Sequence, residues 1–408
     1  MTTQVHPGTV SAAGASWRNL VLPRIAGIED GLLTLRENGA GQTYGHAAAD
    51  GLTAEVEVRS PAFWRRVATG GTLGSAESYA AGEWDTPDLT SVVRLVTRNV
   101  AAMDGLEGGL ARLRRPVDAI RHAFRRNTRS GSRRNITEHY DLGDDFFSLM
   151  LDPTLTYSCG IFERPEATLE EASLAKIDRL CRMLRLGPDH QLLEIGTGWG
   201  AFAIHAASRY GCRVTTTTIS ANQLARARER VAAAGLSDRV TVLHADYRDL
   251  TGRFDRIVSV EMLEAVGAAF YGTFFAKCAS LLADDGLLAL QVITIADARY
   301  EQHVRGVDFI KRYVFPGSNI PSITALLQAA TRASDLTLRQ LDDIGPHYAT
   351  TLAAWRGNLA ANAGAVARLT DERFRRIWNF YLCYCEAGFA ERYLGDAQML
   401  FAKPGGRI

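Results

Sequence analysis

The stretch "EIGTGWG", residues 194–200, combines a carboxylate with three glycines in a spacing that suits a cofactor loop. It follows an apolar run and precedes a helical pattern of small residues, so the glycines lie in a strand-to-helix turn. Glycine in such a turn lets the backbone approach a ligand closely. Gly196, Gly198 and Gly200 fit G-x-G-x-G, but Ala201 stands where a dinucleotide loop carries its third glycine. The spacing therefore disfavours a nicotinamide enzyme.

The acidic residue at the end of this strand, Glu194, indicates the charge of the ligand. A carboxylate there would repel a pyrophosphate, whereas it attracts the ammonium group of S-adenosylmethionine (SAM). The sequence therefore predicts SAM as the cofactor. A strand-to-helix turn that binds no ligand is the alternative interpretation.

Polar residues after the next two strands complete a candidate cofactor site. Thr218 and Gln223 follow a strand that lacks the acidic residue commonly used to bind a ribose diol, and they offer neutral hydrogen bonds in its place. Asp246 is predicted to accept a hydrogen bond from the adenine amino group, and Tyr247 to provide a stacking face. For Asp246, capping of a helix is the alternative.

Strand and helix patterns alternate from about residue 168 onward, which predicts an α/β fold with a doubly wound parallel sheet. The strands read as continuous apolar runs, as expected when helices cover both faces of a sheet. The predicted helices are 169–186, 201–209, 221–234 and 268–282, with a mostly helical insertion at 296–365. The predicted strands are 191–196, 212–219, 240–245, 256–262, 286–294 and 396–404.

The chain is predicted to fold in three parts: a flexible tail at 1–20, a small N-terminal α+β domain at 21–125 and the sheet domain at 126–408. Alternating strand patterns at 31–38 and 52–60, with helical patterns at 60–71 and 86–100, support the α+β prediction. The boundary is placed in the arginine-rich segment 112–134, part of which has the composition of a linker.

Composition is that of an ordinary globular protein, with 47% hydrophobic and 22% charged residues and a net charge of +1, so nucleic acid is not an expected partner. Nine arginines crowd residues 112–134; they would contact anionic lipid headgroups or form a solvated basic helix. No apolar run approaches the ~18 residues needed to span a bilayer, and no secretory signal is visible. Cysteine spacing predicts neither disulfides nor a metal site, which favours a reduced, cytoplasmic protein.

Motifs across residues 130–405 resemble the cyclopropane fatty acid synthase and mycolic acid methyltransferase family, whose members are class I methyltransferases. The motifs occur in the family's order: "HYDLG", "YSCG", "GTGWG", "FDRIVSV", "YVFPG" and "YATTLAAW". The resemblance implies a class I methyltransferase fold in which the insertion binds lipid. It also assigns Tyr157, Ser158 and Trp199 to cofactor binding. His139, in the first motif, is expected to be structural or adjacent to the cofactor.

The resemblance implies methyl transfer to the double bond of an acyl chain, followed by proton removal by a bound bicarbonate. The bicarbonate pocket would consist of Cys159, Glu264, the backbone near Ile293, and Tyr348. Either the Glu264 carboxyl or the bicarbonate facing it is expected to carry a proton, because two bare charges would repel each other. Aromatic faces would stabilise the carbocation that develops on the chain; the candidates are Tyr157, Tyr313 and Phe315.

Two departures from many bacterial members concern this pocket. The sequence has Ala265 after Glu264, and Gln291 where those members have His. A plant-like branch resembles this chain at both places and also makes cyclopropanes. Gln291 can hydrogen-bond an anion but cannot accept its proton, so bicarbonate is expected to remain the base.

The leading hypothesis is a cytoplasmic enzyme on the inner face of the membrane that converts unsaturated phospholipid acyl chains into cyclopropane chains. A methylene-branched chain, reduced to a methyl branch by a partner reductase, is the first alternative. A small-molecule or sterol-type methyltransferase and a catalytically silent lipid-binding protein are the others. The N-terminal domain is expected to assist lipid access or homodimer contacts, or to act as a folding appendage.

Overall fold

The computed structural model describes residues 12–100 and 143–407. The arginine-rich segment 112–134 and His139 lie outside the described residues. The chain divides into two compact units, and the second unit interrupts the first in sequence. Helices and strands are numbered along the described residues.

The first unit is a small α+β domain, as predicted from the strand and helix patterns. Its sheet has the strand order β2-β1-β3-β4, with β1 antiparallel to β2 and parallel to β3. Its elements are α1 (Ala12–Ile25), β1 (Gly31–Glu37), β2 (Ala40–His46), β3 (Thr53–Val58), α2 (Ala62–Ala80), β4 (Trp84–Asp85), α3 (Leu89–Arg98) and α14 (Glu372–Ala390).

Two predicted boundaries differ from the structure. The tail expected at 1–20 contains most of α1, which begins at Ala12. The sheet domain expected at 126–408 does not include Thr370–Glu391, because α14 packs on α2 and α3. Arg376 of α14 donates hydrogen bonds to the carbonyls of Tyr79 (2.6 Å) and Trp84 (3.0 Å). This helix contacts a residue 297 positions earlier in the chain. Local sequence patterns do not encode such a long-range contact, so they could not assign the helix to the first unit.

The second unit contains the predicted doubly wound sheet. Its described strands have the order β10-β11-β9-β8-β5-β6-β7, in which β5 to β9 run parallel and β11 is antiparallel to both neighbours. The strands are β5 (Gln191–Ile195), β6 (Arg213–Thr218), β7 (Val240–His244), β8 (Phe254–Val260), β9 (Leu282–Ile295), β10 (Thr337–Asp343) and β11 (Leu394–Ala402).

Helices cover both faces of this sheet. The described helices are α4 (Gly143–Met150), α5 (Leu169–Met183), α6 (Ala201–Tyr210), α7 (Ala221–Ala233), α8 (Tyr271–Leu281), α9 (Asp297–Arg305), α10 (Phe309–Tyr313), α11 (Ile323–Ala333), α12 (Gly345–Ala361) and α13 (Ala363–Leu369). Leu192 faces the apolar core under α5, α6 and α7, whereas Leu193 faces the opposite core under α8 and α11. Burial on both faces explains the uninterrupted apolar strand patterns.

The insertion predicted as mostly helical at 296–365 contains a strand, β10. Its residues are mostly exposed, and it pairs with β11 at the edge of the sheet. An edge strand with one open side gains little from apolar residues, so its sequence carries a weak strand signal. The carboxyl ends of β5, β6, β7 and β8 meet at one edge of the parallel sheet, where ligands bind in folds of this kind.

Candidate active site

The glycine loop leaves β5 in backbone conformations that favour glycine. Gly196, Gly198 and Gly200 have φ of 104°, 53° and 89°. The N–H groups of Gly196 and Thr197 both donate to the Thr217 carbonyl on β6, at 3.1 Å, which fixes the loop against the sheet. A Cβ built on Gly198 meets no atom within 4 Å, so this part of the loop borders open space.

Glu194 lies under this loop with a carboxylate oxygen available to a ligand. The residue is 3% exposed, and its Oε2 has no hydrogen-bond partner among the described residues. Burial raises the pKa of Glu194 to about 8, against the opposing effects of a Thr216 hydrogen bond and the Lys176 charge. An unpartnered buried carboxylate oxygen is stabilised by a cation, so the site fits the ammonium group of SAM.

We expect SAM binding at pH 7 to release about one proton, because the bound ammonium favours the ionised form of Glu194 over the protonated form present below pH 8. Calorimetry in buffers of different ionisation enthalpy measures this release. Glu194→Gln is the matched control and is expected to bind more weakly with no release from this position. A binding enthalpy of the wild type that does not depend on the buffer would contradict this role.

Thr218 and Gln223 lie together at the end of β6 and the start of α7. The Thr218 hydroxyl donates to Gln223 Oε1 at 2.9 Å, and both side chains are buried. Asp246 begins a short 3-10 turn after β7 and is bound by the Arg248 side chain (2.5 and 2.8 Å). The structure thus shows the capping role of Asp246, while its contact with adenine stays a prediction. Tyr247 is partly exposed and packs edge-on against Phe274.

The other predicted cofactor residues are held by neighbours near the loop. Trp199 donates from Nε1 to Asp144 Oδ1 at 2.9 Å, and its ring packs on Phe147. Tyr157 also packs on Phe147, with ring centroids 5.4 Å apart. Ser158 is buried and accepts a hydrogen bond from Lys176 Nζ at 2.6 Å. Their cofactor contacts stay predictions.

Glu261, which the sequence analysis did not select, lies at the centre of a hydrogen-bonded cluster. Its Oε1 accepts from the Cys159 backbone N–H (2.9 Å) and from Gln291 Nε2 (2.8 Å). Its Oε2 accepts from the Tyr348 hydroxyl at 2.6 Å. Three of the residues predicted for the bicarbonate pocket therefore converge on a carboxylate of the chain itself.

Neighbouring strands orient Gln291 toward Glu261. Glu261 follows the last residue of β8, and its N–H donates to the Gln291 carbonyl on β9. Gln398, opposite Gln291 on β11, donates from Nε2 to Gln291 Oε1 at 3.1 Å. Because that contact uses the amide oxygen, Gln291 presents its NH₂ group to Glu261 and, at 3.1 Å, to Asp396.

Glu264 lies in the 3-10 turn Leu263–Ala265. Whereas Glu261 contacts β9 at Gln291, Glu264 contacts this strand at Ile293. Its Oε1 accepts from the Ile293 backbone N–H at 2.5 Å, and its Oε2 has no hydrogen-bond partner among the described residues. Burial raises the pKa of Glu264 to about 8, and the charge of Glu261 adds to the shift. At neutral pH this shift favours the protonated form of Glu264.

Asp396 and Lys176 also belong to this cluster and were missed by sequence reasoning. Burial raises the pKa of Asp396 well above its usual range, and the charges of Glu261 and Glu264 raise it further. Burial lowers the pKa of Lys176, against the effect of Glu261. A charged residue within an apolar strand, such as Asp396 in β11, is the signal that could have identified it.

The predicted bicarbonate pocket does not fit a further anion. The Ile293 N–H donates to Glu264, while the Cys159 N–H and the Tyr348 hydroxyl donate to Glu261. A bicarbonate would compete with Glu261 for the same donors and would lie beside its carboxylate, which is electrostatically unfavourable.

Aromatic rings lie beside the carboxyl cluster. Tyr157 packs on Trp355 with ring centroids 5.1 Å apart, and its ring lies 6.4 Å from Phe315. Trp355 in turn packs on Tyr348. The ring of Tyr313 instead packs on Phe309. The structure therefore brings Tyr157 and Phe315 together, with Trp355 as an additional aromatic face.

We expect Cys159→Ser to lose less than about tenfold in kcat, because removal of a covalent nucleophile costs several orders of magnitude and Cys159 contributes its backbone N–H. Burial raises the pKa of the Cys159 thiol well above its usual range, which keeps it a neutral thiol. Steady-state rates, with the melting temperature as a control for folding, measure the effect. An inactive but folded variant would indicate thiolate chemistry instead.

The sheet order, the glycine loop and the buried carboxylate beneath it define a class I SAM-dependent methyltransferase. The family model described as mycolic acid cyclopropane synthetase matches residues 127–399. The chain belongs to this family, which confirms the resemblance seen in the motifs.

Two relatives and one solved structure match large parts of the chain. The tuberculostearic acid methyltransferase UfaA1 of Mycobacterium tuberculosis is 36% identical, over 98% of this chain and 94% of its own. The cyclopropane-fatty-acyl-phospholipid synthase of Escherichia coli is 37% identical, and the match covers 86% of this chain and 88% of the relative. A crystal structure of mycolic acid cyclopropane synthase CmaA1 complexed with SAH and CTAB is 36% identical, with a TM-score of 0.63, over 66% of this chain and 98% of that one.

Proposed function

We propose that this enzyme transfers the methyl group of SAM to the double bond of unsaturated acyl chains of phospholipids, and that the product is a cyclopropane chain. The observation that carries the proposal is the aromatic group of Tyr157, Phe315 and Trp355 beside the carboxyl cluster around Glu261. Methylation of an alkene needs these two features, since it creates a carbocation that must be stabilised and must then lose a proton.

The chain's own residues would assist this reaction by alignment and electrostatics. When bound, SAM supplies an electrophilic methyl group to the double bond. The faces of Tyr157 and Phe315 would stabilise the positive charge that develops on the acyl chain. Exclusion of water from the site when the acyl chain is bound would protect that cation until a base removes the proton.

A methylene- or methyl-branched product is the second candidate function. It is favoured by the relative UfaA1, named as a tuberculostearic acid methyltransferase, which matches 98% of this chain. The two outcomes share the methyl transfer and differ in which C–H bond loses its proton. Loss from the new methyl group closes the ring, whereas loss from a neighbouring carbon leaves a double bond that a partner reductase would reduce.

A phospholipid substrate places the reaction at a membrane surface. No helix among the described residues is long and apolar enough to cross a membrane. We propose that the protein is cytoplasmic and attaches peripherally to the inner face of the membrane. It would use basic residues such as those in segment 112–134, which lies outside the described part of the chain. A homodimer is part of the same proposal and is tested by sedimentation.

Mass spectrometry of phospholipid acyl chains, after incubation of unsaturated vesicles with the protein and methyl-labelled SAM, tests the proposal. The expected result is a labelled chain heavier by one CH₂ group, and NMR then distinguishes a ring from an exocyclic methylene. Label transfer to a soluble sterol or amine, with none to the vesicles, would contradict the acyl-chain substrate. Binding of SAM without transfer to any acceptor would favour the catalytically silent alternative.

A further inference from the structure

We propose that the carboxylate of Glu261 is the base that removes the proton from the methylated acyl chain, in the place where bicarbonate was expected. The inference rests on the proposed function, because it names the base for that reaction.

The hydrogen bonds around Glu261 form a site built to hold a carboxylate. The Cys159 N–H and the Gln291 amide donate to one oxygen, and the Tyr348 hydroxyl donates to the other. Both oxygens thus have a fixed position. These donors are the ones that a bound bicarbonate would need, so Glu261 supplies the same functional group, a carboxylate, without a dissociable ligand.

The backbone of Glu261 is strained in a way that aims its side chain into the cluster. Its φ is 46°, in the left-handed region that residues other than glycine rarely adopt. Such conformations cost about 1–3 kcal/mol and persist where the surrounding structure enforces them, as at active sites. Here the Glu261 N–H is held by the Gln291 carbonyl at 2.8 Å.

Exposure distinguishes Glu261 from the other two carboxyl groups of the cluster. Glu261 is partly exposed, whereas Glu264 and Asp396 are buried. A base must reach the C–H bond that breaks, which favours the most accessible of the three carboxyl groups. Glu261 is therefore the carboxyl of this cluster that is most accessible to substrate, while burial raises the pKa of both neighbours, Glu264 and Asp396.

The proposed step is balanced within the enzyme and its substrate. After methyl transfer, the acyl chain carries a positive charge on carbon. The C–H bond that breaks gives its electron pair to that carbon, which closes the ring or forms a double bond. The proton forms an O–H bond with Glu261, and the carboxylic acid then returns the proton to solvent.

Two substitutions at position 261 separate loss of the base from loss of the fold. Glu261→Gln keeps the size of the side chain but removes its basicity. Glu261→Gly frees the donors on Cys159, Gln291 and Tyr348, and glycine tolerates the positive φ. Glu166→Gln, at an exposed position outside the cluster, is the matched control. SAM affinity and the melting temperature check that each variant is folded.

The wild type is expected to turn over at the same rate in buffer stripped of bicarbonate as in buffer containing it. Glu261→Gln should lose about 10²-fold or more in kcat, the usual contribution of a general base, with SAM affinity unchanged. Bicarbonate or formate should restore part of the rate of Glu261→Gly in a concentration-dependent way. The same anions should raise the melting temperature of Glu261→Gly but not that of the wild type.

The proposal is overturned if the wild type slows without bicarbonate and recovers when it is added, or if folded Glu261→Gln keeps the wild-type rate. Equal stabilisation of wild type and Glu261→Gly by bicarbonate would also overturn it. The melting-temperature comparison needs no substrate. A wild type that methylates no acyl chain, together with anion stabilisation confined to Glu261→Gly, would therefore reject the phospholipid substrate while still supporting the assignment of the carboxylate site.

Discussion

Gly196→Val is expected to weaken SAM binding by more than about 100-fold, a loss of about 2.7 kcal/mol in binding free energy. Gly196 has a φ of 104°, a conformation that a β-branched residue adopts only with strain. A Cβ at this position would approach the Met262 side chain to 3.5 Å, and the rest of the valine would extend from a loop that must lie close to the cofactor. Calorimetric titration with SAM measures the loss.

The control for this experiment must carry the same backbone strain away from the cofactor loop. Gly235 also has a positive φ, 68°, and a Cβ built there meets no atom within 4 Å. Gly235→Val should therefore lower the melting temperature yet leave SAM affinity within about twofold of wild type. Undiminished affinity in Gly196→Val would remove the glycine loop from the cofactor site.

Glu264→Ala is expected to lower kcat by about 100-fold, the size of effect that misplacement of catalytic groups by about 1 Å can produce. The substitution leaves the Ile293 N–H without its acceptor and opens a space beside the Glu261 cluster. SAM affinity should change little, because the hydrogen bond of Glu264 is made to the β9 backbone and not to the glycine loop. Separate measurements of kcat and of the SAM dissociation constant distinguish these effects.

Glu264→Gln tests why the residue matters. Because burial raises the pKa of Glu264 to about 8, the wild-type side chain is neutral at pH 7, and glutamine reproduces its shape and charge. The Gln side-chain oxygen can still accept from Ile293. We therefore expect Glu264→Gln to keep most of the activity at pH 7. If Glu264→Gln were as inactive as Glu264→Ala, Glu264 would have to act as an ionised group or as a proton carrier.

Glu264→Gln also differs from the wild type in how pH affects stability. The raised pKa means that Glu264 is protonated in the folded state and ionised in the unfolded state between about pH 5 and pH 8. Its contribution to the free energy of unfolding therefore falls as pH rises through that window. Glu264→Gln should show a flatter dependence of unfolding free energy on pH, measured by urea denaturation.

The strand pattern and the cofactor loop are open to prediction because their determinants are local. Strands covered by helices on both faces must be apolar throughout, and residues 191–196 and 286–294 show this in their residue types alone. The glycines of 196–200 have backbone conformations that other residues adopt at a cost, so their spacing is visible in sequence. The edge strand β10 lacks such a signal, because exposure on its open side removes the need for apolar residues.

The sequence by itself determined the fold class and the SAM loop, and it indicated Cys159, Gln291 and Tyr348 as residues of one pocket. The tertiary structure decided which carboxylate accepts the hydrogen bonds that those residues donate. Glu261 and Glu264 are three positions apart, and the resemblance to the family pointed to Glu264 alone. In the folded chain the donors from Cys159, Gln291 and Tyr348, brought from three distant segments, point at Glu261, while Glu264 is enclosed against β9. Hydrogen-bond direction and burial depend on such long-range packing, and a linear pattern of residue types does not contain them.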